Sequence, residues 1–111
     1  MNEFRNILFI CSRNQWRSPT AEAIYSAHQH LHVRSAGTSS KARRRLSVKD
    51  IRWADLIIVM EEKHRQRIRA EFRDEMRYKA IEVLAIEDRY QFMDPELIDE
   101  IRAVVDSLLE L

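Results

Sequence analysis

Cys11 is the only cysteine among 111 residues; Arg17 stands six positions after it, and Ser18 and Pro19 follow at once. A thiolate is a strong nucleophile, and an arginine fork grips two oxygens of an oxyanion. The five residues between them leave room for backbone amides to line a cup around further oxygens. The sharp reading is therefore attack by sulfur on an anionic group such as a phosphoryl. The bland reading is a buried structural cysteine beside a salt-bridging arginine. Arginine fills fifteen of the positions, so the bare C-x5-R spacing carries little weight. What stands on either side of it carries more.

Before the pair, residues 5–10 (RNILFI) read as a short buried strand. After it, Ser18 as N-cap and Pro19 at the first helical position start a helix to about residue 30, with Ala21, Ile24, Tyr25 and His28 at helical spacing. Cys11 then falls at the carboxyl end of a strand, against a helix N-terminus whose unsatisfied amides attract anions and favour a thiolate. Ser18 is placed to donate its hydroxyl to the sulfur.

The rest of the chain must hold that junction in place. Residues 31–38 (LHVRSAGT) alternate as a second strand and include Gly37, the only glycine. Ser47 and Asp50 suggest a capping box for a short helix to about residue 54. Residues 55–60 (DLIIVM) have the continuous apolar character of a buried parallel strand. Residues 61–77 are charge-rich, with Ile68, Phe72 and Met76 on one helical face, and residues 79–86 read as a fourth strand. Asp94 and Pro95 open a last helix whose apolar positions run from Leu97 to Leu109. This order predicts an α/β fold: one three-layer domain over residues 1–111, a four-stranded parallel sheet with helices on both faces.

Composition narrows the classes. Hydrophobic residues make up 45%, enough for an ordinary core. No apolar run approaches the ~20 residues of a membrane span, and residues 1–6 lack a signal-peptide pattern. A single cysteine allows no internal disulfide, which points to the reducing cytoplasm. Residues 82–111 carry a net −7, so the remainder carries +8, and this basic part could attract an anionic substrate. Solvated helix faces would explain the same pattern. The run KARRR (residues 41–45) lacks the interleaved aromatics of a nucleic-acid surface and reads better as a pocket rim or a solvated face. His28, His30, His32 and His64 show no metal-ligand spacing and are expected on helix surfaces.

The loop Cys11, Asn14, Arg17, Ser18, Pro19, followed by Ala21-Glu22-Ala23, resembles that of the low-molecular-weight protein tyrosine phosphatases. The likeness continues through RSAGT and ADLIIVM. It implies a cofactor-free, metal-free phosphomonoesterase working through a phosphocysteine: Cys11 attacks phosphorus, Arg17 binds the phosphoryl oxygens, and Asn14, Ser18 and Ser35 support the loop. Ser12, Arg13, Asn14, Gln15, Trp16, Ser18 and Tyr90 are the expected substrate-binding positions. The substrate would be a phosphorylated protein, phosphotyrosine first. Phosphoserine or a small phosphoester competes, since CSRNQWRS is also similar to the loop of phosphatases acting on the RNA polymerase tail. A non-catalytic phosphopeptide-binding module and an arsenate reductase are the rival readings. The latter passes oxidation to further cysteines, which this chain lacks, or to an external thiol.

Two aspartates compete for the proton donor. Asp94 already has a structural role as N-cap, whereas Asp88 lies in a loop and is followed two positions later by Tyr90, the spacing the family shows. Asp88 is therefore expected to be the acid, with Arg89 in place of the usual proline. The segment from Gly37 to Asp55 is much shorter than in most of the family, so a crossover helix is expected to be reduced or missing, with Trp16 and Tyr90 replacing the lost pocket wall. Trp16 packed against the first helix is the alternative for that side chain. Arg13 replaces a usual glycine, Trp16 a second cysteine, and Ser40 a histidine that props the loop asparagine.

Overall fold

The structure, a computed structural model, describes residues 4–111. Their strands β1 (Asn6–Cys11), β2 (His32–Gly37), β3 (Leu56–Val59) and β4 (Ala80–Val83) form one parallel sheet in the order β2-β1-β3-β4. The helices are α1 (Arg17–Tyr25), α2 (Val48–Trp53), α3 (Glu62–Glu71), α4 (Arg73–Met76) and α5 (Pro95–Leu108).

Alternation along β1 divides the core, because successive strand side chains point to opposite faces. Ile7, Phe9 and Cys11 join the cluster built with Ala21 and Tyr25 of α1 and Leu97, Ile101 and Val105 of α5. Leu8 and Ile10 join Ile51 of α2, Ile68 of α3 and Met76 of α4 on the other face. With both faces covered, the central strands β1 and β3 read as continuous apolar runs, and the three-layer arrangement follows. The chain leaves β1 for β2 on one side and then crosses to β3 on the other. Such a change of direction opens a crevice at the carboxyl end of the central strand, where Cys11 ends β1 opposite Gly37.

Several elements differ from the sequence reading. Ser18 is not the N-cap of α1. That position is Trp16, which makes no side-chain cap bond, and the helix ends at Tyr25, ahead of His28. Residues 61–77 form two helices, because Phe72 breaks the run at φ −125°, ψ 49°. Their apolar face survives the break: Ile68, Met76 and the half-buried Phe72 pack on one cluster. β4 stops at Val83, although Leu84 N–H and Ile86 N–H still donate to Val59 O and Met60 O at 2.9 and 2.8 Å. Left-handed Ala85 (φ 59°) turns the chain between them. The shortened crossover is not empty: the six-residue α2 fills it, with the Ser47–Asp50 capping box in place. Among the described residues no helix is long and apolar enough to cross a membrane.

Candidate active site

The loop after β1 takes its shape from the connector that follows β2. The carbonyl oxygens of Cys11, Ser12 and Arg13 accept from the backbone N–H groups of Thr38, Ser39 and Arg43 at 3.0, 2.9 and 3.0 Å. The Asn14 carbonyl accepts from Arg43 Nε at 3.0 Å. Four successive carbonyls are thus drawn toward the connector. In a planar trans peptide the following N–H points the opposite way, so the amides of residues 12–15 turn toward the other side of the loop. That geometry makes an anion-binding concavity. Asn14 makes the bend at φ 54°, a left-handed conformation in which asparagine is enriched. The connector KARRR is therefore more than a solvated face. Arg44 extends the clamp to Ser35 O and Asp50 Oδ1, both at 2.6 Å.

Side-chain hydrogen bonds beneath the loop have a fixed direction. A carboxylate only accepts, so Ser35 Oγ donates to Glu22 Oε1 at 2.6 Å. Ser35 Oγ in turn accepts from Asn14 Nδ2, which also donates to Ser18 Oγ, both at 2.9 Å. Ser18 Oγ accepts that bond and keeps its one hydrogen for Cys11 Sγ at 3.0 Å, nearer than its other acceptor, Ala36 O at 3.4 Å. Glu22 thus fixes the polarity of a chain that ends by donating to sulfur. Asn14 Oδ1 is buried with no partner. Ser40, at the position of the family's propping histidine, is exposed and supplies none.

Arg17 is 1% exposed, which is costly for a charge unless it is paired. Its Nη1 donates to Glu61 Oε1 at 2.5 Å and to Ile86 O at 2.8 Å. Its Nε faces Asp88 Oδ1 at 3.6 Å. Burial alone would raise the Glu61 carboxyl. The hydrogen bond and charge of Arg17, with smaller help from Lys63 and His64, hold it below the usual carboxylate range. His64, expected on a helix surface, is 1% exposed instead. Its Nδ1 accepts from Glu61 N–H at 3.0 Å, so the proton sits on Nε2 and is donated to Ser12 Oγ at 2.9 Å. Burial, and then the charge of Arg17, push the imidazole down to about 4.

The His64 shift has a sign that can be tested. The unfolded chain gains its His64 proton near the unperturbed ~6.5, the folded one only near 4, so between these values the unfolded state holds more protons. Stability is then complete above about pH 6.5 and falls as the pH drops toward 4. His64→Gln can keep both hydrogen bonds without titrating. Urea midpoints measured from pH 7 to 4 are expected to fall more steeply for the wild type than for His64→Gln. Parallel curves would show that His64 does not titrate as its surroundings require.

Cys11, Arg13, Gln15, Trp16, Arg17 and Asp88 line the cup itself. Of the other expected substrate-binding residues, Ser12 turns its hydroxyl to His64, while Asn14 and Ser18 are 0% exposed and lie in the supporting network. Ser35 lies there with them. Tyr90 is a correction. It is 5% exposed and belongs to the core cluster with Leu97 and Ile101, with the Arg89 guanidinium over its ring. It does not form a pocket wall. Trp16, 41% exposed, does line the cup. Asp94 Oδ1 accepts from Glu96 N–H at 2.9 Å as the N-cap of α5, while Asp88 is at the cup. His28, His30 and His32 lie beyond α1 in a turn and at the start of β2, and no metal-binding cluster exists among the described residues. Sequence reasoning missed Glu61 and His64. Their signal was topological, since they follow the strand beside β1 at its carboxyl end.

The same loop marks the comparisons with known proteins. Residues 6–48 match the family model for low molecular weight phosphotyrosine protein phosphatase. No curated protein matches the chain. Among solved structures, the YwlE arginine phosphatase from Geobacillus stearothermophilus is 23% identical over 96% of this chain and 91% of its own, with a TM-score of 0.73. The tyrosine phosphatase Wzb from Escherichia coli K30, in complex with phosphate, is 22% identical over 96% and 97%, with a TM-score of 0.69. A further protein tyrosine phosphatase is 28% identical over 93% and 95%, with a TM-score of 0.65. Residues 6–48, which carry the loop, thus resemble the low molecular weight phosphotyrosine protein phosphatases, and the whole chain shares its architecture with these solved phosphatases.

Proposed function

We propose that the chain hydrolyses phosphoprotein monoesters, phosphotyrosine first, through a phosphocysteine on Cys11. The observation that carries this reading is the convergence on one cup of the sulfur, the buried Arg17 and the carboxylate Asp88, with Ser18 donating to the sulfur from below. A module that only binds phosphate needs neither a thiolate nor a proton donor.

The steps follow from the atoms present. The phosphoryl group enters the cup, its oxygens meeting the amides of residues 12–15 and the Nε side of Arg17, whose Nη1 is held from behind by Glu61 and Ile86. Cys11 Sγ attacks phosphorus as the ester P–O bond breaks, and Asp88 gives its proton to the leaving oxygen. Asp88, now a carboxylate, takes a proton from water as that water attacks phosphorus. The P–S bond breaks, phosphate leaves, and Ser18 steadies the thiolate that returns. Preorganised donors aimed at developing charge supply much of the rate. The reaction needs Cys11 reduced, which suits the cytoplasm.

The test is direct trapping. Wild-type protein mixed with p-nitrophenyl phosphate and quenched in acid is expected to carry one phosphoryl group on the Cys11 peptide by mass spectrometry, with a matching burst of p-nitrophenolate. Steady turnover with no phosphoryl on Cys11 would remove the covalent mechanism. Phosphate binding with no Cys11-dependent turnover would leave only a binding module.

A further inference from the structure

Trp16 lines the catalytic cup and also a second, larger groove, where Pro19, Ala23 and Phe92 provide apolar walls beside the polar side chains of Glu22, Ser26 and Arg43. The two depressions share Gln15 and Trp16, so a chain extending from a residue seated in the cup meets the groove at once. Its volume is about 670 Å³. That lies within the ~300–1,000 Å³ typical of ligand sites and exceeds what one phosphoryl group needs.

Large apolar side chains left in water are few on this surface. Six are exposed among the described residues, and three of them gather here: Trp16 at 41% and Phe92 at 52% in the walls, and Met93 at 38% next in the chain. Phe92 is also fixed in position. Met93 takes a left-handed backbone conformation at φ 63°, uncommon for a residue other than glycine, asparagine or aspartate. Its N–H donates to Thr20 Oγ1 at 2.9 Å, and Thr20 Oγ1 donates to Trp16 O at 2.6 Å. Those two bonds tie the segment carrying Phe92 to the backbone of Trp16. A strained turn pinned so as to hold one exposed aromatic beside another is a preformed clamp.

We propose that this groove receives apolar side chains flanking the phosphorylated residue of a peptide or protein substrate, and so selects phosphoproteins over small phosphoesters. The proposal rests on the phosphatase reading above. A small ester fills the cup and stops short of Phe92, which is not among the residues lining it. A polypeptide continues past Trp16, and the side chain that best fills a space between Trp16, Pro19 and Phe92 is apolar.

The test compares kcat/KM for p-nitrophenyl phosphate and for two phosphotyrosine decapeptides, one with leucine and one with serine on both sides of the phosphotyrosine. Wild type is expected to favour the leucine peptide by about tenfold, the scale of a modest apolar contact. Phe92→Ala should remove that preference while leaving p-nitrophenyl phosphate within about twofold. Ala23→Phe, which fills the groove from another lining position, should remove it as well. Equal rates for the two peptides with wild type, or a preference that survives both substitutions, would overturn the groove assignment while the phosphatase reading stands. Loss of Cys11-dependent turnover on p-nitrophenyl phosphate itself would remove that reading, and this proposal with it. A wild-type dimer that Phe92→Ala dissociates, with no peptide preference in either protein, would assign the groove to a second copy of the chain and overturn the proposal too.

Discussion

Cys11→Ser is expected to abolish turnover, and Asp88→Asn to lower kcat by roughly 10²–10⁴, the range for a positioned proton donor. For the nucleophile, the expected fall is about 10⁴-fold or more, since an un-ionised hydroxyl replaces the thiolate and deletion of a nucleophile elsewhere has cost as much. The Asp88 effect should depend on the leaving group. p-Nitrophenolate departs readily and needs little help, whereas phenolate needs a proton as the P–O bond breaks. The ratio of wild type to Asp88→Asn is therefore expected to be larger on phenyl phosphate than on p-nitrophenyl phosphate. Asp94→Asn serves as the control. Asparagine caps a helix about as well as aspartate, so stability should hardly move, and Asp94→Ala should cost about 1 kcal/mol as Glu96 N–H loses its acceptor. A large fall in kcat for Asp94→Asn with the fold intact would move the proton donor. An unchanged kcat for Asp88→Asn on phenyl phosphate would rule out Asp88.

The fold was readable because its signals are local. β1 and β3 are buried on both faces, so Ile7–Ile10 and Leu56–Val59 appear as unbroken apolar runs, and the caps Ser47 and Asp94 announce α2 and α5. Ser18 misled because a serine before proline is a good N-cap on local grounds. Here tertiary demand takes its hydroxyl for Cys11 and Asn14, and the helix starts at Arg17 without a side-chain cap. His64 misled for the opposite reason. It sits among Glu62, Lys63 and Arg65, which face solvent, and nothing along the chain reveals that the loop after β1 packs on it. The spacing from Asp88 points Tyr90 toward the pocket, but the turn after β4 carries it inward onto Leu97 and Ile101. What escaped the sequence was long-range: which side chain the neighbouring strand's end brings under the loop.

Gly37→Ala is expected to cost activity out of proportion to the size of one methyl group. Gly37 has no left-handed backbone to excuse it; its constraint is a close approach. A Cβ there would lie 2.5 Å from Ser12 O and 2.6 Å from Ala42 Cβ. Neither neighbour is free to retreat. Ser12 O accepts from Ser39 N–H at 2.9 Å, and the connector is closed on Gly37 itself by Gly37 N–H to Arg44 O and Leu46 N–H to Gly37 O, both at 2.9 Å. Relief needs a shift on the order of 1 Å, given carbon contact distances of about 3.5–4.0 Å. The backbone that would move is the one presenting the anion-binding amides. Overpacking of this kind costs about 1–3 kcal/mol, and a misplacement of about 1 Å near the chemistry can cost ~10²-fold in rate. kcat/KM on p-nitrophenyl phosphate should therefore fall about 10²-fold at a temperature where circular dichroism shows the fold intact, with a lower Tm alongside. Full activity in Gly37→Ala would mean that the loop does not depend on the connector for its shape. Adding Ala42→Gly removes one of the two clashes and leaves Ser12 O. The double variant is thus expected to regain stability while remaining poor in catalysis, because the contact that persists is the one on the loop.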